Sequence, residues 1–217
     1  IKWEGALTES LSFAYLPSPG LVKLRLTCRG RIEDSDRLLK ELDSQSIQIR
    51  GILGEDIFTE SLRGIEYVIS DLFKKSGQTL ATAESFTGGN IAAKITSVPG
   101  SSEYFKGSVV AYSNEIKISE LGVDGNEINL NGPVSETVAL QMANGIKSKY
   151  KTDWSISTTG YAGPTGGQGC AAGTVCLAIV GPQVSWVKRF SMGSNRKRTI
   201  LKSCLAIFNQ LRLMIDK

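Results

Sequence analysis

Residues 79–90, TLATAESFTGGN, place two hydroxyl side chains and two adjacent glycines directly after a short apolar run. Ser85 and Thr87 supply the hydroxyl groups, and Gly88 and Gly89 would let a ligand approach the backbone closely. An apolar run that passes into an amphipathic segment predicts a strand-to-helix turn, where unpaired N–H groups can bind an anion. The alternative is that a hydroxyl only caps the helix and the glycines only form the turn.

Residues 107–117, GSVVAYSNEIK, are a second candidate for chemistry. Tyr112 is expected to end a strand, and Lys117 follows where the chain could turn back over the same sheet edge. The chain contains no histidine, so a Ser-His-Asp triad is excluded and the base for a serine must be Lys, Tyr, Asp or Glu. A lysine in a partly closed site can lose its proton and serve as that base. The alternative is a solvated helix residue.

Two further segments could bind an anion. The loop of residues 158–169, TTGYAGPTGGQG, is far richer in glycine than an ordinary connection, and its N–H groups could form an anion nest. In GSNRKRT, residues 193–199, Arg196 and its basic neighbours open the C-terminal helix, where cations oppose the helix dipole unless an anion offsets them. A flexible surface loop and a solvated basic face are the respective alternatives.

The composition bounds the class of protein. The 217 residues, 41% of them hydrophobic, suffice for one large or two small domains with a real core. A net charge of +4 is too mild to argue for nucleic acid and suits a small anionic substrate. The four cysteines form no metal-binding pattern and are expected to be reduced thiols of a cytoplasmic protein. The sequence offers neither a membrane span nor a signal peptide, and its first residue is Ile1, which leads us to expect a fragment.

The amino-terminal part, residues 1–57, is predicted to be a small β-α-β segment. LVKLRLTC, residues 21–28, alternates like a half-buried strand, and Pro17, Pro19 and Gly20 mark a turn before it. The segment is completed by a short helix, capped at Asp34 or Ser35, and by a second strand in residues 46–54, SIQIRGILG. The GILG of this second strand matches the GXXG of nucleic-acid-binding KH domains only weakly.

Residues 58–217 are predicted to form an α/β layered domain, because helical and strand patterns alternate along them. A first helix is expected to contain residues 62–73 and to end near Gly77. Further helices are expected after Gly89, from the cap Ser135 onward and at the carboxyl terminus. Strands are expected at residues 79–83, 108–112, 154–158 and 174–180, with an edge strand in VSWVKRF.

Taken together, these motifs resemble the C-terminal domain of the CinA (competence/damage-inducible) family. The resemblance runs from about Leu72 to Leu211 and rests on TLATAESFTGG, ITSVPGSSEYFKGSVVAYSNEIKISELGV, GPVSETVALQMANGI and TTGYAGPTGG followed by GTVCLAI. It implies a three-layer α/β/α fold. The opening FAYLPSPGLVKLRL resembles the KH-like segment that precedes this domain in full-length members. The molybdopterin-binding-like domain that comes before it there is absent from this sequence.

The resemblance implies deamidation of nicotinamide mononucleotide (NMN), in which the carboxamide becomes a carboxylate and ammonia leaves. It implies no metal or other cofactor and a homo-oligomer. The lack of a membrane span, the mild charge and the weak GXXG match lead us to expect no membrane or nucleic-acid partner. The family's functional residues fall on Ser85, Thr87, Ser102, Tyr112, Lys117 and Arg196. We expect Ser85, Lys117 and Tyr112 to be catalytic, with Ser102 as a rival nucleophile. Substrate-binding residues are expected to be Thr87, Gly88, Gly89, Ser102, Thr159, Gly160, Gly163 and Arg196, with Gly88 and Gly89 as oxyanion donors.

The sequence departs from the family pattern at the expected pocket wall. Phe86 stands where cysteine is usual, Tyr161 where isoleucine is usual, and the loop after Gly167 is short. A second hypothesis is therefore a nucleotide-binding or protein-interaction module that keeps the fold without the reaction.

Overall fold

The computed structural model describes residue 8 and residues 10–215 of the chain and divides it into two compact units, residues 1–60 and 61–217. The division lies close to the boundary expected after Ile57. Among the helices of the described residues, none is both long and apolar enough to cross a membrane.

The first unit is a β-hairpin followed by one long helix. Strands β1 (Leu11–Ser18) and β2 (Leu21–Cys28) pair antiparallel, and α1 covers Ser35–Leu53. The prediction of a strand in residues 46–54 is wrong, because this segment continues α1. Leu38 and Ile49, the buried residues of α1, lie eleven positions apart, which is three helical turns, and no turn residue interrupts the segment between them. GILG is consequently the end of a helix and not a loop between strands.

The second unit contains five strands and six helices among the described residues. The helices are α2 (Ile65–Ser76), α3 (Asn90–Thr96), α4 (Asn114–Leu121), α5 (Gly125–Asn131), α6 (Glu136–Tyr150) and α7 (Arg196–Ile215). The strands are β3 (Leu80–Glu84), β4 (Phe105–Val110), β5 (Trp154–Gly160), β6 (Thr174–Val180) and β7 (Ser185–Ser191).

The five strands form one mixed sheet in the order β4-β3-β5-β6-β7, with β3 parallel to β4 and β5 and the remaining pairs antiparallel. Each predicted strand of this unit exists, and VSWVKRF is an edge strand as expected. The strand that was expected to end at Tyr112 stops at Val110. The predicted helices are confirmed as well, although Leu62 precedes α2 and is exposed.

Helices cover both faces of the sheet, which confirms the α/β class and the three layers. On one face α6 packs on β3, β5 and β6, where small residues such as Ala81 and Ala178 leave room for the helix. The hydroxyl groups of Ser155 and Ser157 donate to carbonyls of α6, so the helix is held close to the sheet. On the other face α7 packs on α2, α3 and β6. Because β3 is parallel to both β4 and β5, the carboxyl ends of these three strands meet at one edge of the sheet.

Candidate active site

Ser85 lies immediately after β3, at the edge where the parallel strands end. Its backbone N–H donates to the carbonyl of Thr158 on β5 over 2.9 Å, and only 7% of the residue is exposed. This bond fixes the first residue of the turn against the neighbouring strand. Ser85 is therefore a buried hydroxyl at the position where α/β sheets bind ligands.

Glu84, directly before Ser85, is a fully buried carboxylate that sequence reasoning missed. One oxygen accepts the N–H groups of Gly89 and Ile91, both at 3.0 Å, and the other accepts that of Ala92 at 2.8 Å. Its charge thus satisfies the start of α3, where the helix dipole favours an anion. An acidic residue shortly before an amphipathic segment is the sequence signal for this role, but the nearby hydroxyls of Ser85 and Thr87 match the usual pattern of a helix cap more closely.

The two glycines of the turn serve its backbone conformation. Gly88 and Gly89 have φ values of 59° and 91°, in the left-handed region that other residues adopt rarely. The Gly88 N–H donates to the carbonyl of Ser85 and that of Gly89 to Glu84. Both predicted oxyanion donors are thus already bonded within the protein, and this arrangement does not support that part of the expectation. Among the described residues no acceptor is found for the N–H of Phe86, which follows Ser85.

Thr87 connects the turn to β5. Its hydroxyl lies 2.7 Å from that of Thr158, and both residues are fully buried. The hydroxyl of Thr87 thus has a structural contact with β5, and the residue is not brought to the cavity described below, so its predicted substrate-binding role gains no support from this geometry.

Lys117 is on α4, a helix that begins after the cap Ser113, whose hydroxyl accepts the N–H of Ile116. Only 2% of Lys117 is exposed. Within the described part of the chain, no acceptor lies within hydrogen-bond reach of its ammonium group. Burial lowers the pKa of Lys117 from its ordinary value, and the exposed Glu115 opposes this only in part. Burial therefore makes it easier for Lys117 to lose its proton, and the neutral amine is the form that can act as a base.

The close approach of α4 to α6 places Lys117. Gly145 of α6 lies so near the carbonyl of Leu121, at the end of α4, that an added Cβ atom would overlap it. Leu121 also packs in the core with Met142 of α6. The alternative of a solvated helix residue is thus excluded for Lys117, because α4 packs against α6 and the side chain is buried.

Tyr112 and Arg196 form a hydrogen-bonded pair across the site. The Arg196 guanidinium donates to the Tyr112 hydroxyl at 2.8 Å and to the carbonyl of Gly163 at 3.3 Å. Both acceptors are neutral, so the positive charge of Arg196 is oriented but not neutralised. The first turn of α7 is in this way joined to the glycine-rich loop.

The glycine-rich loop follows β5 and is tied down along much of its length. Thr159 donates its hydroxyl to the carbonyl of Pro133 at 2.6 Å, and Gly163, with φ 102°, leaves no room for a Cβ atom beside the backbone of Ser194. The N–H groups of Tyr161 and Gly167 donate to protein carbonyls. Only a part of the predicted anion nest is thus open to a ligand.

These elements line a cavity of about 280 Å³. Seven of the predicted site residues line it: Ser85, Tyr112, Lys117, Thr159, Gly160, Gly163 and Arg196. Eight further residues line it: Phe86 and Tyr161, which were expected at the pocket wall, and Asn114, Pro133, Val134, Ala162, Thr165 and Gly166, which the site prediction did not contain. Thr87, Gly88, Gly89 and Ser102 are not part of the wall. The size suits a small ligand.

Ser102 lies away from this cavity. It is exposed and belongs to a short 3₁₀ helix, Ser101–Glu103, just before the start of β4. Because β3 and β4 are parallel, the start of β4 is at the opposite sheet edge from Ser85. Within this chain Ser102 is thus not brought to the cavity that Ser85 lines, and its expected roles as rival nucleophile and substrate-binding residue gain no support from this geometry. Among the described residues no group of three Cys, Asp or Glu side chains is placed to hold a metal ion.

Comparison with known proteins identifies the family. A profile described as the CinA C-terminal domain matches residues 62–215. The chain belongs to the CinA family. A CinA-like protein of Flavobacterium psychrophilum is 42% identical over 217 residues, covering 99% of this chain and 50% of that protein. A putative competence-damage inducible protein of Caldanaerobacter subterraneus is 38% identical over 204 residues, covering 94% of this chain and 49% of that protein.

Solved structures of CinA proteins share the fold. A competence or damage-inducible protein from Enterobacter asburiae superposes with a TM-score of 0.68 at 28% identity, covering 70% of this chain and 96% of that one. The competence/damage inducible protein CihA from Agrobacterium tumefaciens gives 0.67 at 30% identity, covering 73% of this chain and 100% of that one. The chain spans about half the length of the curated CinA relatives it matches. The expected homo-oligomer stays a prediction.

Proposed function

We propose that this CinA domain is an amidohydrolase that converts NMN to nicotinate mononucleotide and ammonia in cytoplasmic pyridine-nucleotide salvage. One observation carries the proposal: a buried serine and a buried lysine without a partner among the described residues line the same cavity. Buried groups with perturbed pKa values are typical of active sites. Serine with lysine is a known combination for nucleophilic catalysis without histidine.

In the proposed reaction, the Ser85 hydroxyl attacks the carboxamide carbon and neutral Lys117 accepts its proton. The tetrahedral intermediate carries negative charge on the former amide oxygen, and the N–H of Phe86 is the donor we assign to it. Such a donor lowers the activation free energy by about 3 to 4 kcal/mol. Lys117 then gives its proton to the leaving nitrogen, so that ammonia departs and an acyl-Ser85 ester remains.

Hydrolysis of the ester repeats the sequence with water. Lys117 takes a proton from the attacking water and returns it to the Ser85 oxygen as the ester bond breaks. The phosphate of the nucleotide is assigned to Arg196, whose guanidinium is oriented by Tyr112 and Gly163. A planar guanidinium is well suited to phosphate. Tyr112 is therefore assigned to positioning Arg196, in addition to its predicted place beside Lys117.

Paired serine substitutions test the proposal. Ser85→Ala is expected to lower ammonia release from NMN by at least about a thousandfold, in line with the loss of a nucleophile. Ser102→Ala removes the same hydroxyl group at the opposite sheet edge and should leave the rate near that of the wild type. Near-normal turnover in Ser85→Ala would refute the assignment. Absence of turnover in the wild type, with NMN raising its melting temperature, would select the binding module instead.

A further inference from the structure

The cavity has an unusual balance of charge. Two basic side chains line it, Lys117 and Arg196, and no Asp or Glu does so among the described residues. Glu115, the acid that influences Lys117, is on the exposed surface of α4 and outside the wall. The acceptors that hold Arg196 are uncharged. A ligand with two separate negative charges would therefore pair one of them with the exposed Arg196 and the other with the buried Lys117 once that amine is protonated, whereas a ligand with one charge would pair with Arg196 alone.

The proposed reaction creates such a ligand from one that lacks it. NMN brings its phosphate and a neutral carboxamide, and hydrolysis turns the amide into a carboxylic acid at the position of the Ser85 ester. That acid transfers its proton to the neutral amine of Lys117, which gives a carboxylate and an ammonium in contact. The proton is thereby accounted for, and the product complex contains an ion pair that the substrate complex lacks.

We propose that the cavity is a selective site for a mononucleotide whose base bears a carboxylate, held by Lys117 at the carboxylate and by Arg196 at the phosphate. This inference rests on the proposed function. Its consequence is retention of the product: the enzyme binds nicotinate mononucleotide more tightly than NMN and is inhibited as the product accumulates. The Lys117 ammonium must lose its proton and its carboxylate partner before Lys117 can act as a base again.

Binding to the Ser85→Ala protein tests this without turnover. Calorimetric titration should give a dissociation constant for nicotinate mononucleotide at least about tenfold below that for NMN, equivalent to one added charge-assisted contact. In Ser85→Ala with Lys117→Met the preference should disappear, because methionine keeps an apolar chain without the ammonium. Ser85→Ala with Lys106→Met, which removes an exposed lysine outside the cavity wall, should retain it.

The outcomes separate this inference from the proposed function. Equal affinities for the two nucleotides in Ser85→Ala would overturn product retention, even if the wild type releases ammonia from NMN. Selective binding of the acid with no ammonia release by the wild type would support the carboxylate site and refute the deamidase. The comparison of two ligands on one protein also holds if the Lys117→Met protein fails to fold.

Discussion

Replacement of Glu84 by glutamine tests how the turn that carries Ser85 is held. The carboxylate accepts three backbone N–H groups at 2.8 to 3.0 Å in a fully buried place. Glutamine keeps one acceptor oxygen and puts an NH₂ group against at least one backbone donor. Loss of one charge-assisted bond costs about 1.5 to 3 kcal/mol, and loss of the charge at the helix N-terminus adds about 0.3 to 1 kcal/mol. We expect Glu84→Gln to lower the free energy of unfolding by about 3 kcal/mol.

Denaturant unfolding with linear extrapolation measures this loss. Glu66→Gln is the matched control, because Glu66 is also an acid in the first turn of a helix, α2, but is partly exposed. Its expected cost is about 0.3 to 1 kcal/mol. If Glu84→Gln stays within about 0.5 kcal/mol of the wild type, the buried carboxylate does not hold the start of α3, and our account of the turn is wrong.

Four further predictions concern Lys117, its helix and the thiols. Because burial puts the folded-state pKa of Lys117 below its ordinary 10.5, turnover should rise with pH along a limb centred below that value. For the same reason Lys117→Met should unfold at a higher temperature at pH 7, an advantage that shrinks as pH rises toward 10.5; equal melting temperatures would contradict this. Gly145→Ala should slow turnover and destabilise the fold by about 1 to 3 kcal/mol, because α4 must move away from α6; unchanged kinetics would refute the placement. A thiol reagent should modify Cys170 before Cys176 and Cys204, which are fully buried and whose thiol pKa values burial raises to about 11 and about 12; equal rates would count against the packing.

The fold of the second unit could largely be predicted because its elements carry strong local patterns. Val138, Met142 and Ile146 repeat at helical spacing after the cap Ser135, and all of them are buried as expected. The amino-terminal strand failed for the opposite reason. Residues 46–54 are compatible with both periods over their short length, and the continuation of α1 decided between them.

Some features of the candidate site could likewise be predicted from local sequence patterns, and others could not. Ser85, Lys117 and Arg196 were predictable as residue types at the ends of elements, since strand ends and helix starts are visible in the pattern. The hydrogen-bond partners could not be predicted. The N–H groups of Gly89 and Gly88 donate to Glu84 and to the Ser85 carbonyl, and residue spacing in the sequence does not indicate these contacts. The position of Ser102 could not be predicted without the direction of β4 relative to β3. Because the two strands are parallel, the residues before β4 and those after β3 lie at opposite ends of the strands.

Ammonia release from NMN by the wild type and by Lys117→Met tests the central claim most directly. We expect turnover by the wild type, formation of nicotinate mononucleotide in equal amount, and a loss of at least about a thousandfold in the variant, since methionine cannot accept the Ser85 proton. Lys106→Met should match the wild type. Turnover by Lys117→Met at a rate near that of the wild type would contradict a lysine base and, with it, the proposed histidine-free mechanism.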